Sequence, residues 1–337
     1  MRLSFALAAL PFLSCALGAG APQPPPVTEM IEKRTKLKTH SMYAPYVDSD
    51  LQNRWWDFGG DTVINTNKHV RLTQDRGSQS GWLWSRLPLA PPSWQIEFEF
   101  NVDGKGTSMY GDGFALWVTM GRAEPGPVFG NQDLFTGLAV FFDTYANSRH
   151  GYSFPRITAM LGDGRIPADL DGDNARNELA GCSKNFRRRN VATKARLTYV
   201  KGKGLRLETQ LDEWDKWDLC FDAPNVELPT SPYIGFSAIT GDVADNHDIV
   251  GVSVYSATLY PQYRPVTQGV GGPAPAQQPL EMTRDHLTGG RAPVQRGGAA
   301  GWFLFILKLI GVAAFIAFAV AAYRTYSAQQ SRRPAYY

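Results

Sequence analysis

Three short segments of the 337-residue chain concentrate oxygen donors. They are Asp143-Thr-Tyr-Ala-Asn147, Asp169-Leu-Asp-Gly-Asp-Asn174 and Thr240-Gly-Asp-Val-Ala-Asp-Asn-His-Asp248. Carboxylates, amides and backbone carbonyls are the donor set of calcium, a hard cation that takes about 6–8 oxygens. In an extended chain Asp143, Tyr145 and Asn147 point the same way. Asp143 and Asn147 can then offer side-chain oxygens while Tyr145 offers its carbonyl. Spacing alone does not decide the matter, because Asp/Asn-rich loops are also ordinary turn chemistry. The second segment is no EF-hand, since Ala180 stands where that loop needs its twelfth-place glutamate.

Catalysis finds less support. Glycoside hydrolysis needs two carboxylates facing one bond. Glu97 and Glu99 share a strand face without a catalytic pattern around them, and Glu208, Asp212 and Glu213 read as solvated charge at a strand end. No Ser-His-Asp or Cys-His arrangement is visible, so a binding protein and not an enzyme is expected. Lys+Arg 34 against Asp+Glu 31 gives a net charge of +3, too small to argue for nucleic acid as a partner.

The elements that must carry these loops are strands. Trp94, Ile96, Phe98 and Phe100 alternate with Gln95, Glu97, Glu99 and Asn101, the period of a half-buried strand. Phe114-Ala-Leu-Trp-Val-Thr119 and Leu138-Ala-Val-Phe-Phe142 are apolar runs suited to buried strands. Residues 195–200 and 205–211 read as a hairpin through Lys201-Gly-Lys-Gly204, and residues 249–260 alternate again. No helical period competes. The pattern predicts an all-β domain over residues 40–262, an antiparallel β-sandwich or jelly roll.

The two ends are apolar for other reasons. Residues 1–18 have a basic Arg2, an apolar stretch broken by Pro11, and small residues near Gly18, which is the layout of a secretory signal. Its removal takes away Cys15 and leaves Cys182 and Cys220, for which a single disulfide is the natural reading in an oxidising compartment. Residues 19–39, with Pro22, Pro24, Pro25 and Pro26, read as a loose arm, and residues 263–300 as a Gly/Pro-rich stalk. Residues 301–323 carry one charge, Lys308. At ~1.5 Å per residue they span ~35 Å, enough for a single transmembrane helix. Residues 324–337 hold Arg324, Arg332 and Arg333 and no acid, so they are expected to be cytosolic. The layout predicts a type I membrane protein with a luminal domain.

Six segments, taken in order, carry a resemblance. They are Trp56-Asp-Phe58, Gly111-Asp-Gly-Phe-Ala-Leu-Trp117, Gly126-Pro-Val-Phe-Gly130, Gly137-Leu-Ala-Val-Phe-Phe-Asp-Thr-Tyr145, Glu178-Leu-Ala-Gly-Cys182, and Thr240-Gly-Asp242 with Asp245-Asn-His-Asp248. Through them residues 40–259 resemble the legume-like (L-type) lectin family of early secretory pathway cargo receptors. The resemblance implies a calcium-dependent mannose site. Asp143, Tyr145, Asn147 and Asp173 match calcium ligands. Asp112, expected after a cis bond from Gly111, matches the acceptor for sugar hydroxyls, with Asn147 and Tyr145 beside it. Gly241, Asp242 and Val243 match a loop whose backbone meets the sugar, and Cys182–Cys220 matches the family disulfide.

The function so implied is a membrane lectin of the ER, ER–Golgi intermediate compartment or Golgi. It binds high-mannose N-glycans on secretory glycoproteins and carries them as cargo. Tyr336-Tyr337 resembles the paired aromatic export signals through which family tails meet coat proteins. Two departures favour an alternative, a sorting adaptor with the same fold and weak or no sugar binding. Trp82 stands where members often place Ser after Gly, and Leu170 stands where they often carry His. His150 and His247 remain as groups able to titrate near neutrality.

Overall fold

The computed structural model describes residues 25–264. The expected signal, stalk, membrane span and tail lie outside the described residues. Among those described, no helix is long and apolar enough to cross a membrane.

Fifteen strands follow one another: β1 (Ile31–Lys36), β2 (Trp56–Gly60), β3 (Val63–Asn65), β4 (His69–Thr73), β5 (Gln79–Ser85), β6 (Trp94–Asp103), β7 (Gly113–Thr119), β8 (Thr136–Asp143), β9 (Arg156–Asp163), β10 (Ala180–Ser183), β11 (Thr193–Val200), β12 (Gly204–Gln210), β13 (Asp218–Pro224), β14 (Tyr233–Thr240) and β15 (Asn246–Leu259). One sheet runs β13-β12-β11-β6-β15-β4-β3, with β1 added on β15. The other runs β10-β9-β8-β7-β14-β5-β2. Neighbouring strands pair antiparallel, as the sequence pattern predicts.

The side-chain period explains the layers. On β6, Trp94, Ile96, Phe98, Phe100 and Val102 are buried between the sheets while Glu97, Glu99 and Asn101 are half-buried on the outer face. Phe98 packs edge-on against Phe114, Phe142 and Phe236 of the opposite sheet. Strand β7 is buried on both faces. Phe114, Leu116 and Val118 enter the inter-sheet core, and Ala115 and Trp117 join a second cluster with Trp84, Phe135, Phe141 and Met160. A strand covered on both sides reads as a continuous apolar run. That is why β7 and β8 lack alternation in the sequence.

Cys182 on β10 and Cys220 on β13 form a disulfide across 38 residues. Each strand is the edge of its own sheet, so the bond closes that side of the sandwich. A loop of this length corresponds to about 4 kcal/mol in a chain-entropy account.

The segment expected to be a loose arm is ordered from residue 27 onward. Val27 and Met30 are buried in a 3-10 turn against Val200 and Leu259. Strand β1 then pairs with residues 255–259. The reason is the length of β15, whose first half pairs with β4 and whose second half presents an open edge. An unpaired edge is a template for a further strand. Glu32 to Lys36 are exposed, so the sequence of β1 shows only charge.

The register sets the site. Gly113, the first residue of β7, pairs with Asp143, the last of β8, and with Ile239 near the end of β14. The loops before β7, after β8 and after β14 therefore emerge together. We predict that deleting residues 25–36 costs about 3–5 kcal/mol through the exposed Val27, Met30 and Leu259 surface. In a domain of this size the melting temperature then falls by roughly 10 °C. An unchanged thermal melt of the truncated chain overturns the assignment of β1 to the folded unit.

Candidate functional site

The three loops meet at Gly111. A methyl group there would sit 3.0 Å from both Tyr145 Cβ and Val243 Cγ2, tighter than an ordinary contact, so a side chain would push these loops apart. The Gly111–Asp112 bond is cis, as the resemblance implies. The Asp112 amide donates to Ile239 O at 3.4 Å, and the Asp112 carbonyl accepts from Thr144 N at 3.0 Å and Thr144 Oγ1 at 3.1 Å. The residue is thus bolted to β14 on one side and to the β8 loop on the other. Its half-buried carboxyl is raised above the usual range by burial, lowered by a hydrogen bond from the Gly241 backbone, and raised again by Asp242.

Asp143 is buried and has no ion-pair partner among the described residues. One of its oxygens accepts from Tyr145 N at 2.9 Å. Burial pushes its carboxyl well above the ordinary value, and the neighbouring Asp173 and Asp112 push it further. Asp173 is fully enclosed, and it and Asn174 both adopt left-handed backbone, at φ 51° and 56°. The Asp173 carboxylate accepts from Asn147 N at 2.8 Å, Asn147 Nδ2 at 2.9 Å and Ser148 N at 2.9 Å, and pairs with His150 Nε2 at 2.6 Å. The His150 ring stacks on Tyr152 at 4.6 Å.

This donor chemistry fits a hard cation. Two buried carboxyl groups repel each other, and one of them has no positive partner, which is the conflict a divalent ion removes. Asp143, Asp173, the Tyr145 carbonyl and the Asn147 amide are the residues that would hold it. Among the described residues no group of three His, Cys, Asp or Glu side chains stands ready for a metal. The remaining oxygens would then be carbonyls, amides and water. Asp173 must also release part of its present hydrogen bonding.

A cavity of about 190 Å³ is lined by Asp112, Asp143, Asn147, Asp173 and Asn174 on its polar part. Phe129, Phe141, Ala168, Leu170 and Ile239 supply an apolar part. Phe129 stacks on Phe141 at 5.0 Å. Leu170 therefore does line the site. Asn174, the last residue of the second oxygen-rich segment, is 5% exposed and has its Nδ2 without a hydrogen-bond partner among the described residues.

The other departure, Trp82, lies away from the cavity. The Trp82 ring lies flat on Gly59, where a methyl group would sit 2.3 Å from Cζ2, and it does not line the cavity. The serine brought to the loop is Ser78, whose amide donates to Gly241 O at 3.2 Å. It is exposed and adopts φ 58°. The pair Gly77-Ser78 also reads as serine after glycine, and its turn composition was the available signal.

The third oxygen-rich segment divides. Gly241 and Asp242 lie by Asp112 and Val243 by Gly111 and Tyr145. Asp245 is bound to Arg187, and Asp248 to Arg71. His247 is 1% exposed, with Nδ1 at 2.7 Å from Thr73 Oγ1 and Nε2 unpartnered. Burial and then Arg187 lower its pKa to about 3, so it stays neutral in mild acid.

Two antiparallel sheets with a cis-linked aspartate and paired acidic loops at one end define a legume-lectin-like sandwich. The legume-like lectin family model matches residues 33–262, and the chain belongs to that family. It is 35% identical over 303 residues to an L-type lectin-like domain-containing protein of Schizosaccharomyces pombe, over 90% of this chain and 91% of that one. It is 34% identical over 305 residues to the mouse vesicular integral-membrane protein VIP36, over 89% of this chain and 84% of that one. The solved exoplasmic/lumenal domain of VIP36 in its Ca2+/Man3GlcNAc-bound form aligns with TM-score 0.63 and 38% identity, over 67% of this chain and 92% of that one. The carbohydrate recognition domain of Emp47p, at 21% identity and TM-score 0.55, shares the fold over 66% of this chain and 97% of that one.

The depressed His247 value sets a pH dependence. The unfolded chain binds a proton near pH 6.5 while the folded one does not until about pH 3, so stability is full above 6.5 and is lost as pH falls. Between pH 7 and pH 5 this one group removes about 2 kcal/mol. Urea unfolding at both pH values should show that loss, and His247→Gln should remove it from the difference.

Proposed function

We propose that the protein is a membrane-anchored lectin that binds high-mannose N-glycans in a calcium-dependent manner. In this reading it accompanies glycoproteins through the ER, the ER–Golgi intermediate compartment and the Golgi. The observation that carries the reading is the convergence of cis-linked Asp112, the buried Asp143–Asp173 pair and the Gly241 loop on one cavity. The solved VIP36 domains, in Ca2+-bound and Ca2+/Man2-bound forms, support it. So do the name of VIP36 as an integral-membrane protein and the expected signal and span of this chain.

Sugar hydroxyls both donate and accept, so acceptors and donors must be set side by side. The Asp112 carboxylate accepts from hydroxyls, and the Asn147 amide and the backbone of residues 241–243 complement it. Tyr145 offers ring surface to the C–H face of a pyranose. Bound calcium supplies positive charge to the Asp143–Asp173 pair and so orders residues 143–147. Preorganisation of this kind improves affinity by lowering the ordering cost. The cytosolic tail, ending in Tyr336-Tyr337, is the part that would meet coat proteins.

The protein is read as non-catalytic. Glu97 and Glu99, the carboxylate pair weighed for hydrolysis, belong to β6 in the other sheet. One observation favours the second reading, a sorting adaptor with weak sugar binding: Leu170 lines the cavity and cannot hydrogen-bond a hydroxyl turned toward it.

Titration of the full-length chain with a mannose oligosaccharide, with calcium and with chelator, tests the proposal. Binding should require calcium and be lost in Asp112→Ala, while the calcium isotherm of Asp112→Ala stays close to native. No binding in either condition rejects the lectin reading. Leu170→His supplies the missing hydrogen-bonding group. It should tighten glycan binding about five- to tenfold, the range expected when a buried hydroxyl gains a partner worth ~1 kcal/mol. Unchanged affinity in that variant shows that no sugar hydroxyl faces position 170.

A further inference from the structure

The residues proposed to hold calcium lie within 143–147 and at 173, and Asp112 and the Gly241–Val243 loop are outside that set. Asp112 and the Gly241–Val243 loop come from different strands and hold no cation between them. A single buried guanidinium touches a chain neighbour of each. Arg187 donates from Nε to Asp245 Oδ2 and from Nη2 to Asp245 Oδ1, each at 2.7 Å. The side chains are 6% and 0% exposed. Asp245 lies two residues after Val243. On its other side the guanidinium carbon sits 4.0 Å from the centroid of the Tyr110 ring, and Tyr110 directly precedes the cis-linked Gly111–Asp112 pair.

The base of this arm is fixed. The Arg187 amide donates to Asn185 Oδ1 at 3.1 Å, and Arg187 forms a bridge with Val102 near the end of β6. The adjacent Phe186 is wholly buried against Phe100 and Phe142. Asp245 is held as well: its carbonyl accepts from Thr73 Oγ1 at 3.2 Å, and the following Asn246 accepts from Asp75 N at 2.9 Å. A planar fork bonded in two places to one carboxylate permits little rotation, and its face attracts an aromatic ring. A buried ion pair is a poor source of stability compared with apolar packing, and its value lies in geometry.

We infer that Arg187 is a positioning residue for glycan recognition, setting the spacing between Asp112 and the Gly241–Val243 loop by gripping Asp245 and Tyr110 at once. The inference rests on the lectin reading above. Calcium organises one side of the sugar site, and Arg187 organises the other without touching the ion's ligands.

The test uses the full-length chain at saturating calcium, titrated with Man3GlcNAc, beside separate calcium titrations. Tyr110→Leu removes the ring, Tyr110→Phe keeps it, and Arg187→Lys keeps the charge but loses the fork. Tyr110→Leu and Arg187→Lys should each weaken glycan binding about tenfold, the scale of one desolvated cation–π or forked contact. The calcium midpoint should move less than about twofold on the same scale, and Tyr110→Phe should restore the native glycan affinity. Should Arg187→Lys fail to fold, the Tyr110 pair decides alone. Unchanged glycan affinity in Tyr110→Leu overturns the inference, as does a parallel loss of calcium and glycan binding, which marks a merely structural role. Hydrogen exchange separates this failure from failure of the lectin reading. If the native protein binds no glycan, the lectin reading falls. Faster exchange in Tyr110→Leu at both 110–113 and 241–245 still sustains the link, and a change confined to 110–113 overturns it.

Discussion

The carboxyl groups of Asp112, Asp143 and Asp173 line one cavity in which no lysine or arginine takes part. Burial raises the cost of charging Asp143, and each neighbour adds to it. Hydrogen bonds alone relieve only some of this. Asp173 is satisfied by two backbone amides, an Asn147 side chain and His150, and Asp112 by the Gly241 amide. Asp143 keeps a single backbone donor. The arrangement is under electrostatic tension that a hard cation relieves. The surrounding structure must be stiff enough to maintain that tension when no ion is present.

The stiffness comes from β7, β8 and β14. Their pairing brings Gly113, Asp143 and Ile239 into line at one end of the sheet. Apolar residues clamp these strands from both faces: Phe98, Phe100, Phe114 and Phe142 on one side, Trp117, Phe135 and Phe141 on the other. Close-packed cores resist small displacements, so the loops start from fixed points. The acids then need only short loops to reach one another, and those loops are ordered by their own carboxylates.

Which parts were legible in the sequence follows from this. Central strands are dictated by burial, so the alternation in β6 and the apolar runs of β7 and β8 announced themselves. Strand β1 did not, because only its partner's open edge makes it a strand and its exposed side chains are charged. Of the site, Asp112, Asp143, Asn147 and Asp173 were readable as oxygen donors in family order, and the structure gathers them at one cavity. Trp82 drew attention because a one-dimensional match does not tell the glycine pair Gly77-Ser78 from Gly81-Trp82. Only the contact with Gly241 and the ring on Gly59 separate them. Asp245 and Asp248 looked like further site acids, whereas each is consumed by a distant arginine. Partners remote in sequence leave no local pattern.

Leu170 separates two features of the loop that carries Asp173: its backbone course and the side chain it turns to the cavity. The residue lies three positions before Asp173; its side chain borders the cavity, and the turn is held by backbone bonds from Asp173 N to Leu170 O and from Asn174 N to Asp169 O. Changing the side chain at 170 leaves those carbonyls in place. The two roles proposed for this loop therefore rest on different features: the ion-holding role on Asp173 and the backbone course, the sugar-facing role on side chain 170. An apolar residue here removes a hydrogen-bonding option and joins Phe129, Phe141 and Ile239 in a continuous apolar wall. A pyranose has C–H faces as well as hydroxyl edges, and a wall of this kind favours the former. Under the proposed lectin reading, side chain 170 bears on how a glycan lies in the cavity and is not among the residues proposed to hold calcium.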